Sequence, residues 1–136
     1  MNKALIDTDI ISYFLKGDQS VARKIVEYSR EHGKLSISII TYYEIAGGLE
    51  YKLATRQKEK FEAFVDNHCE IINLSKESIK ISAEEYGRLR RDGITIGSAD
   101  LFIAGIAIQK GYDLITNNIK HYQVVRGLKI VNWKVV

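Results

Sequence analysis

The chain has no proline, one cysteine and one tryptophan in 136 residues. With Cys69 as its only thiol it can form neither an internal disulfide nor a thiolate cluster for zinc, which fits a reducing cytoplasm. No Pro/Ser-rich linker, low-complexity tract or internal repeat divides it. The length is that of one unit with a real core, so a single domain over residues 1–136 is expected. Long apolar runs are missing as well: Leu101 to Ile108 is the longest, with Gly105 inside it, and cannot span a bilayer. Asp7 and Asp9 stand where a secretory signal would need an unbroken apolar core, so no export and no membrane association are expected. The net charge of +3 is mild, permitting a nucleic-acid partner without demanding one.

What is present reads as strands alternating with helices. Lys3 to Ile6 is a short apolar strand, and Asp7-Thr8 opens a helix near Ile10 to Leu15 that Gly17 closes. Asp18 or Ser20 caps a second helix with Val21, Ile25 and Tyr28 on its apolar stripe, stopped by Gly33. Leu35 to Ile40 is β-branched and reads as a strand, after which Thr41 starts a helix. Phe61, Phe64, Val65 and His68 share one face of a helix over residues 55–68. Glu70 to Leu74 is a third strand. Ser75 caps a long helix reaching Asp92, and Ser98 caps one that is apolar almost all round and therefore central. Gly111 suits a left-handed C-cap. Tyr112 to Thr116 and Leu128 to Val131 complete the strands. Such alternation predicts an α/β fold with a mainly parallel sheet.

In that fold crossover helices run against the strands, so strand C-termini and helix N-termini share an edge where ligands bind. Four polar residues fall there: Asp7 after the first strand, Glu44 in the first turn of a helix, Asp100 in the first turn of the buried helix, and Asn118 after the fourth strand. Each has a plain structural alternative. Asp7 can cap a helix, Thr41-x-x-Glu44 matches a capping box, Asp100 can favour a helix dipole, and Asn117-Asn118 can form a turn.

Taken together they point to chemistry. Two carboxylates about 5 Å apart repel by roughly 3 kcal/mol at an effective dielectric near 20. Three converging ones should be protonated, spread apart or neutralised by a cation; no basic residue adjoins them in sequence, so a metal is the economical answer. Carboxylate, amide and water ligands suit Mg²⁺, with Mn²⁺ as a substitute, rather than zinc.

The segments resemble those of the PIN-domain ribonucleases, and in particular the VapC-type toxins of bacterial and archaeal toxin–antitoxin pairs. The resemblance rests on the apolar strand into Asp7-Thr8, on Thr41-x-x-Glu44 followed by Gly48-Leu49, on Ala99-Asp100-x-x-Ile103-Ala104, and on Thr116-Asn117-Asn118-x-x-His121-Tyr122. It implies a PIN-like three-layer fold, a five-stranded parallel sheet flanked by helices. It also implies a Mg²⁺-dependent endoribonuclease, with Asp7, Glu44 and Asp100 as the acidic metal-site residues. Asn118 takes a fourth position where many relatives carry Asp, and gives up a charge that a second metal would use. Thr8, Ser98 and Thr116 are implied as hydroxyls that orient carboxylates or water. A homodimer and a cognate antitoxin masking the site follow from the same resemblance.

Other features decide less. Arg88, Arg90, Arg91, Lys120, Arg126 and Lys129 could contact phosphates or simply solvate a surface. Most tyrosines, including Tyr28 and Tyr86, read as half-buried core, and His32, His68 and His121 lack metal-ligand spacing. Asp7-Thr8-Asp9 also mimics the D-x-D nucleophile motif of haloacid-dehalogenase-like phosphotransferases, without their late acidic pair. A third reading is a catalytically silent module that binds RNA or protein.

Overall fold

The computed structural model describes residues 1–135; Val136, the last residue of the expected domain, lies outside them. In chain order the elements are β1 (Ala4–Ile6), α1 (Thr8–Leu15), α2 (Gln19–His32), β2 (Leu35–Ser38), α3 (Ile39–Tyr51) and α4 (Thr55–His68). They continue with β3 (Cys69–Ile72), α5 (Lys76–Arg91), α6 (Ser98–Lys110), β4 (Asp113–Ile115), α7 (Ile119–Tyr122) and β5 (Ile130–Val131).

The five strands form one parallel sheet in the order β3-β2-β1-β4-β5, as expected of an α/β chain. Alternate side chains of a strand point to opposite faces, and the central strands use both. Ala4 and Ile6 of β1, Leu35 and Ile37 of β2 and Ile115 of β4 join an apolar cluster with Ile10, Val21, Ile25, Tyr28, Ile45, Phe61 and Val65 from the first four helices. Leu5 and Leu114 face the other way, into a cluster with Leu89, Ile103, Ile106 and Tyr122 from α5, α6 and α7. Helices therefore cover both faces of the sheet, giving three layers. Among the described residues no helix is long and apolar enough to cross a membrane.

Polar caps set several boundaries. Asp18 rather than Ser20 caps α2, its Oδ1 accepting from Val21 N at 3.0 Å. Ser75 caps α5 in a capping box with Ser78, and Gly111 ends α6 in the left-handed region at φ 70°. Strand β2 stops at Ser38, not Ile40, because the Ser38 hydroxyl accepts from Thr41 N at 2.9 Å and turns the two isoleucines into the start of α3. Strand β3 likewise begins at Cys69, directly out of α4, and ends at Ile72 rather than Leu74.

Helix α5 departs from the expectation that every helix runs against the strands. The Ser82 hydroxyl donates to Leu101 O at 2.7 Å, and Gly105 lies against Ser78, so α5 and α6 form an antiparallel hairpin. The hairpin brings the C-terminal end of α5 to the N-terminal end of α6.

Candidate active site

Strand order reverses direction between β1 and β4, where one crossover leaves toward β2 and another arrives from β3. In open parallel sheets this switch point is where ligands bind. Asp7 leaves β1 at that point and Thr116 leaves β4 beside it, both buried. The pair is stitched together: Asp7 N donates to Ile115 O at 2.9 Å, and Thr116 Oγ1 donates to Asp7 Oδ2 at 2.8 Å. Asp7 Oδ1 accepts from Thr8 N at 2.8 Å, so the residue also caps α1. The capping role and the site role are compatible.

Asp7 is 6% exposed. Burial, then the carboxylates of Asp9 and Asp100, push its carboxyl up to about 7, against the hydrogen bonds from Thr116 and Thr8. Asp9 lies one residue into α1 and is also raised, chiefly by burial, with Asp100 adding. Its Oδ2 accepts from Asn117 N at 3.0 Å, whereas its Oδ1 is buried and has no hydrogen-bond partner among the described residues.

Asp100 occupies the first turn of α6, as expected. Ser98 does not cap that helix: Gly97 does, without a side-chain hydrogen bond, and Ser98 is exposed. No hydrogen bond joins the Ser98 hydroxyl to a carboxylate among the described residues. Asp100 instead has two partners from α7. Tyr122 OH donates to its Oδ1 at 3.1 Å, and His121 Nε2 shares a 2.7 Å hydrogen bond with its Oδ2. Burial, followed by the charges of Asp7 and Asp100, holds the Tyr122 phenol far above its usual range, so it is a hydroxyl donor here.

Glu44 sits in the second turn of α3, not the first, because Ser38 has taken the cap; the Thr41–Glu44 capping box does not form. Its Oε1 accepts from Thr8 Oγ1 at 2.7 Å, and Thr8 Oγ1 lies 2.9 Å from Thr41 Oγ1. A hydroxyl has one proton, so with Thr8 donating to Glu44 the buried Thr41 must donate to Thr8. The relay holds Glu44 at the mouth of the site. Asn118 is exposed, and its backbone N–H donates to Thr116 Oγ1 at 3.0 Å. Thr116 is thus fixed from both sides.

The four expected residues do share the edge, yet they do not form a closed cage. Among the described residues no group of three or more His, Cys, Asp or Glu side chains stands ready to hold a metal ion. Asp7, Asp9 and Asp100 lie within electrostatic reach of one another, while Glu44 is tied to the hydroxyl of Thr8. The donor chemistry nevertheless fits a hard divalent cation: all-oxygen, anionic, destabilised by burial, and including an unpartnered Asp9 oxygen.

Three contributors are not singled out by the sequence. Asp9 enters there only through the D-x-D mimicry. His121 and Tyr122 belong to the motif that carries the resemblance but take no role from it; standing three and four residues beyond Asn118, they fall on one side of a helical turn. Of the basic residues that could contact phosphates, Arg88 pairs with Glu85 and Val124 O, Lys129 lies near Asp113, and Arg90 lies over the ring of Tyr86, which is 50% exposed, whereas Tyr28 is fully buried.

A PIN domain family model matches residues 4–127. The chain is 36% identical over 132 residues to ribonuclease VapC1 of Methanocaldococcus jannaschii, covering 95% of this chain and 87% of that one. To the tRNA(fMet)-specific endonuclease VapC of Shigella flexneri it is 27% identical over 134 residues, covering 98% and 99%. In three dimensions it resembles a chain of VapBC2 from Rickettsia felis, solved bound to a promoter DNA fragment, with a TM-score of 0.88, 28% identity and coverage of 96% and 98%. Neither the fold nor these likenesses favour the phosphotransferase reading of Asp7-Thr8-Asp9. A parallel five-stranded sheet in this order, acidic residues at its switch point and a family match over nearly the whole length lead to one conclusion: the chain belongs to the PIN-domain family, in its VapC-type branch.

Proposed function

We propose that this protein is a divalent-metal-dependent endoribonuclease and the toxin component of a type II toxin–antitoxin pair. One observation carries the reading: Asp7, buried at the switch point, is raised by burial and by the charges of Asp9 and Asp100, an arrangement a cation would relieve. Asp7 and Asp100 would hold Mg²⁺, or Mn²⁺ in its place, with Asp9 Oδ1 the free neighbouring donor and Glu44 acting through water. When bound, the cation would supply an activated water and stabilise negative charge on the phosphoryl oxygens. The chain's own groups set the geometry. Thr116 orients Asp7, the Thr41–Thr8 relay orients Glu44, and His121 with Tyr122 orients Asp100. Asn118 offers an amide without a charge, which favours one tightly held metal over two.

RNA is the substrate in this reading, as it is for the ribonuclease relatives. A cognate antitoxin is the partner, by analogy with VapBC complexes of Rickettsia felis and Salmonella typhimurium. Tyr43 in the early part of α3 is 73% exposed, and Tyr51 and Leu53 at the α3–α4 turn are 89% and 85% exposed, apolar surface that a protein partner would cover. A homodimer in the cytoplasm completes the proposal. Mapping RNA 5′ ends after induction tests it, comparing wild type with Asp7→Asn and Asp100→Asn. New ends only in wild type, reproduced in vitro with Mg²⁺ and abolished by EDTA, are expected. Cleavage by either variant at the wild-type rate would remove the assignment. RNA binding without cleavage, together with no Mn²⁺ binding by calorimetry, would favour the silent module.

A further inference from the structure

The most constrained ionic group outside the acidic site is Glu85, on the last turns of α5. It is 5% exposed and fully engaged. Its Oε1 accepts from Arg88 Nη2 at 2.7 Å and from Arg126 N at 2.6 Å, and its Oε2 accepts from Arg88 Nε at 2.9 Å. Arg88 Nη2 also donates to Val124 O at 2.7 Å. The pair therefore grips both ends of the three-residue segment 124–126. Its middle residue, Val125, is buried and donates its N–H to Tyr122 O at 3.0 Å.

That segment follows α7 directly. A four-residue helix has no stability of its own, so its place comes from what holds it. On one side Tyr122 is fully buried; on the other the Glu85–Arg88 fork fixes the chain that leaves the turn. A buried ion pair is poor evidence for stability, since an apolar pair of similar volume often serves as well. What an apolar pair cannot supply is direction: the planar fork and the carboxylate place two backbone groups at set angles.

We infer that Glu85 and Arg88 are positioning residues for cleavage, holding the α7 turn so that His121 and Tyr122 fix the Asp100 carboxylate. The inference rests on the ribonuclease reading of Asp100 given above. Neither residue touches the acidic cluster; both act through residues 121–126. Loosening the turn misplaces a carboxylate that holds the reacting groups, and misplacement by about 1 Å costs on the order of 100-fold in rate.

The test measures kcat and KM for RNA cleavage at saturating Mg²⁺, with melting curves, for Glu85→Gln, Arg88→Lys, the double variant His121→Ala/Tyr122→Phe, and Glu85→Gln added to that double variant. Asp100→Asn serves as reference. Glu85→Gln and Arg88→Lys are expected to lower kcat about 10- to 100-fold with KM within about twofold, at temperatures where both are folded. Added to the double variant, Glu85→Gln should cost less than about twofold, because residues acting as one unit are not additive. Full additivity, unchanged kcat, a double variant as fast as wild type, or loss of the fold in both single variants would each assign the pair to stability alone and overturn the inference. An Asp100→Asn protein that cleaves normally would instead overturn the reading of the site itself.

Discussion

Replacing Asp7 with asparagine should stabilise the metal-free protein, and by an amount that depends on pH. Burial with Asp9 and Asp100 nearby raises the Asp7 carboxyl from 3.8 to about 7. A carboxyl raised on folding is most favourable to the fold below the unfolded value, and that advantage is lost as pH climbs through the folded one. At 1.36 kcal/mol for each pH unit between the two values, the raised carboxyl costs up to about 4 kcal/mol at pH 8, where it is ionised, and about 1.5 kcal/mol at pH 5, where the fold keeps it protonated. The amide introduced by Asp7→Asn would keep the shape and could still accept from Thr8 N, while whatever it loses toward Thr116 does not vary with pH. The stability difference between Asp7→Asn and wild type should therefore rise by about 3 kcal/mol in favour of the variant from pH 5 to pH 8. Urea denaturation in EDTA at several pH values measures this directly. Adding Mn²⁺ should then raise the melting temperature of wild type and leave the variant's in place. A difference that stays flat across that pH range would refute the argument that an uncompensated charge is stored at the switch point.

Three further outcomes concern other parts of the structure. Gly105→Ala would put a Cβ 2.5 Å from Ser78 O in the α5–α6 hairpin, a backbone atom that cannot step aside. Thermal melts should show a loss of about 1–3 kcal/mol, and an unchanged melting temperature would mean that the hairpin is not packed this closely. Cys69 is buried, which pushes its thiol up to about 12, so an aromatic disulfide reagent at pH 8 should label it only in denaturant. Fast stoichiometric labelling of the folded protein would contradict this. Glu85 is held at about 2 by Arg88, well below its usual 4.5. Its contribution of about 3 kcal/mol is present above pH 4.5 and lost as pH falls through about 2, so Glu85→Gln should flatten the acid limb of the stability curve in that window.

The α/β architecture is legible in the chain because each local signal agrees with the next. Apolar stretches of three or four residues alternate with helical stripes, and polar caps separate them. Asp18, Ser75 and Gly111 mark helix ends by chemistry that acts over a few residues. Boundaries slipped where two local preferences competed: Ile39 and Ile40 favour a strand, yet the Ser38 hydroxyl starts a helix beneath them. The acidic edge is legible for a related reason, since in a parallel sheet the residue after each strand must come to the same side. By that rule Asp7 and Asn118 belong together, and Asp100 joins them because the N-terminus of a helix that runs against the strands lies at the same edge.

Contacts between elements distant in the chain could not be read this way. Nothing local announces that Thr8 of α1 takes Glu44 of α3 as its partner, or that Tyr122 reaches back to Asp100. Those pairings depend on strand order, and only folding places β4 beside β1, bringing residue 116 against residue 7. The α5–α6 hairpin and the grip of Glu85 on residues 124–126 are of the same kind, set by packing between elements distant in sequence. The kinds of element, their order and the acidic character of one edge are written in the chain, because they follow from side-chain chemistry over a few residues. Which carboxylates are buried, and what each one holds, was settled by the folded arrangement, because desolvation and directional hydrogen bonds exist only once distant segments meet.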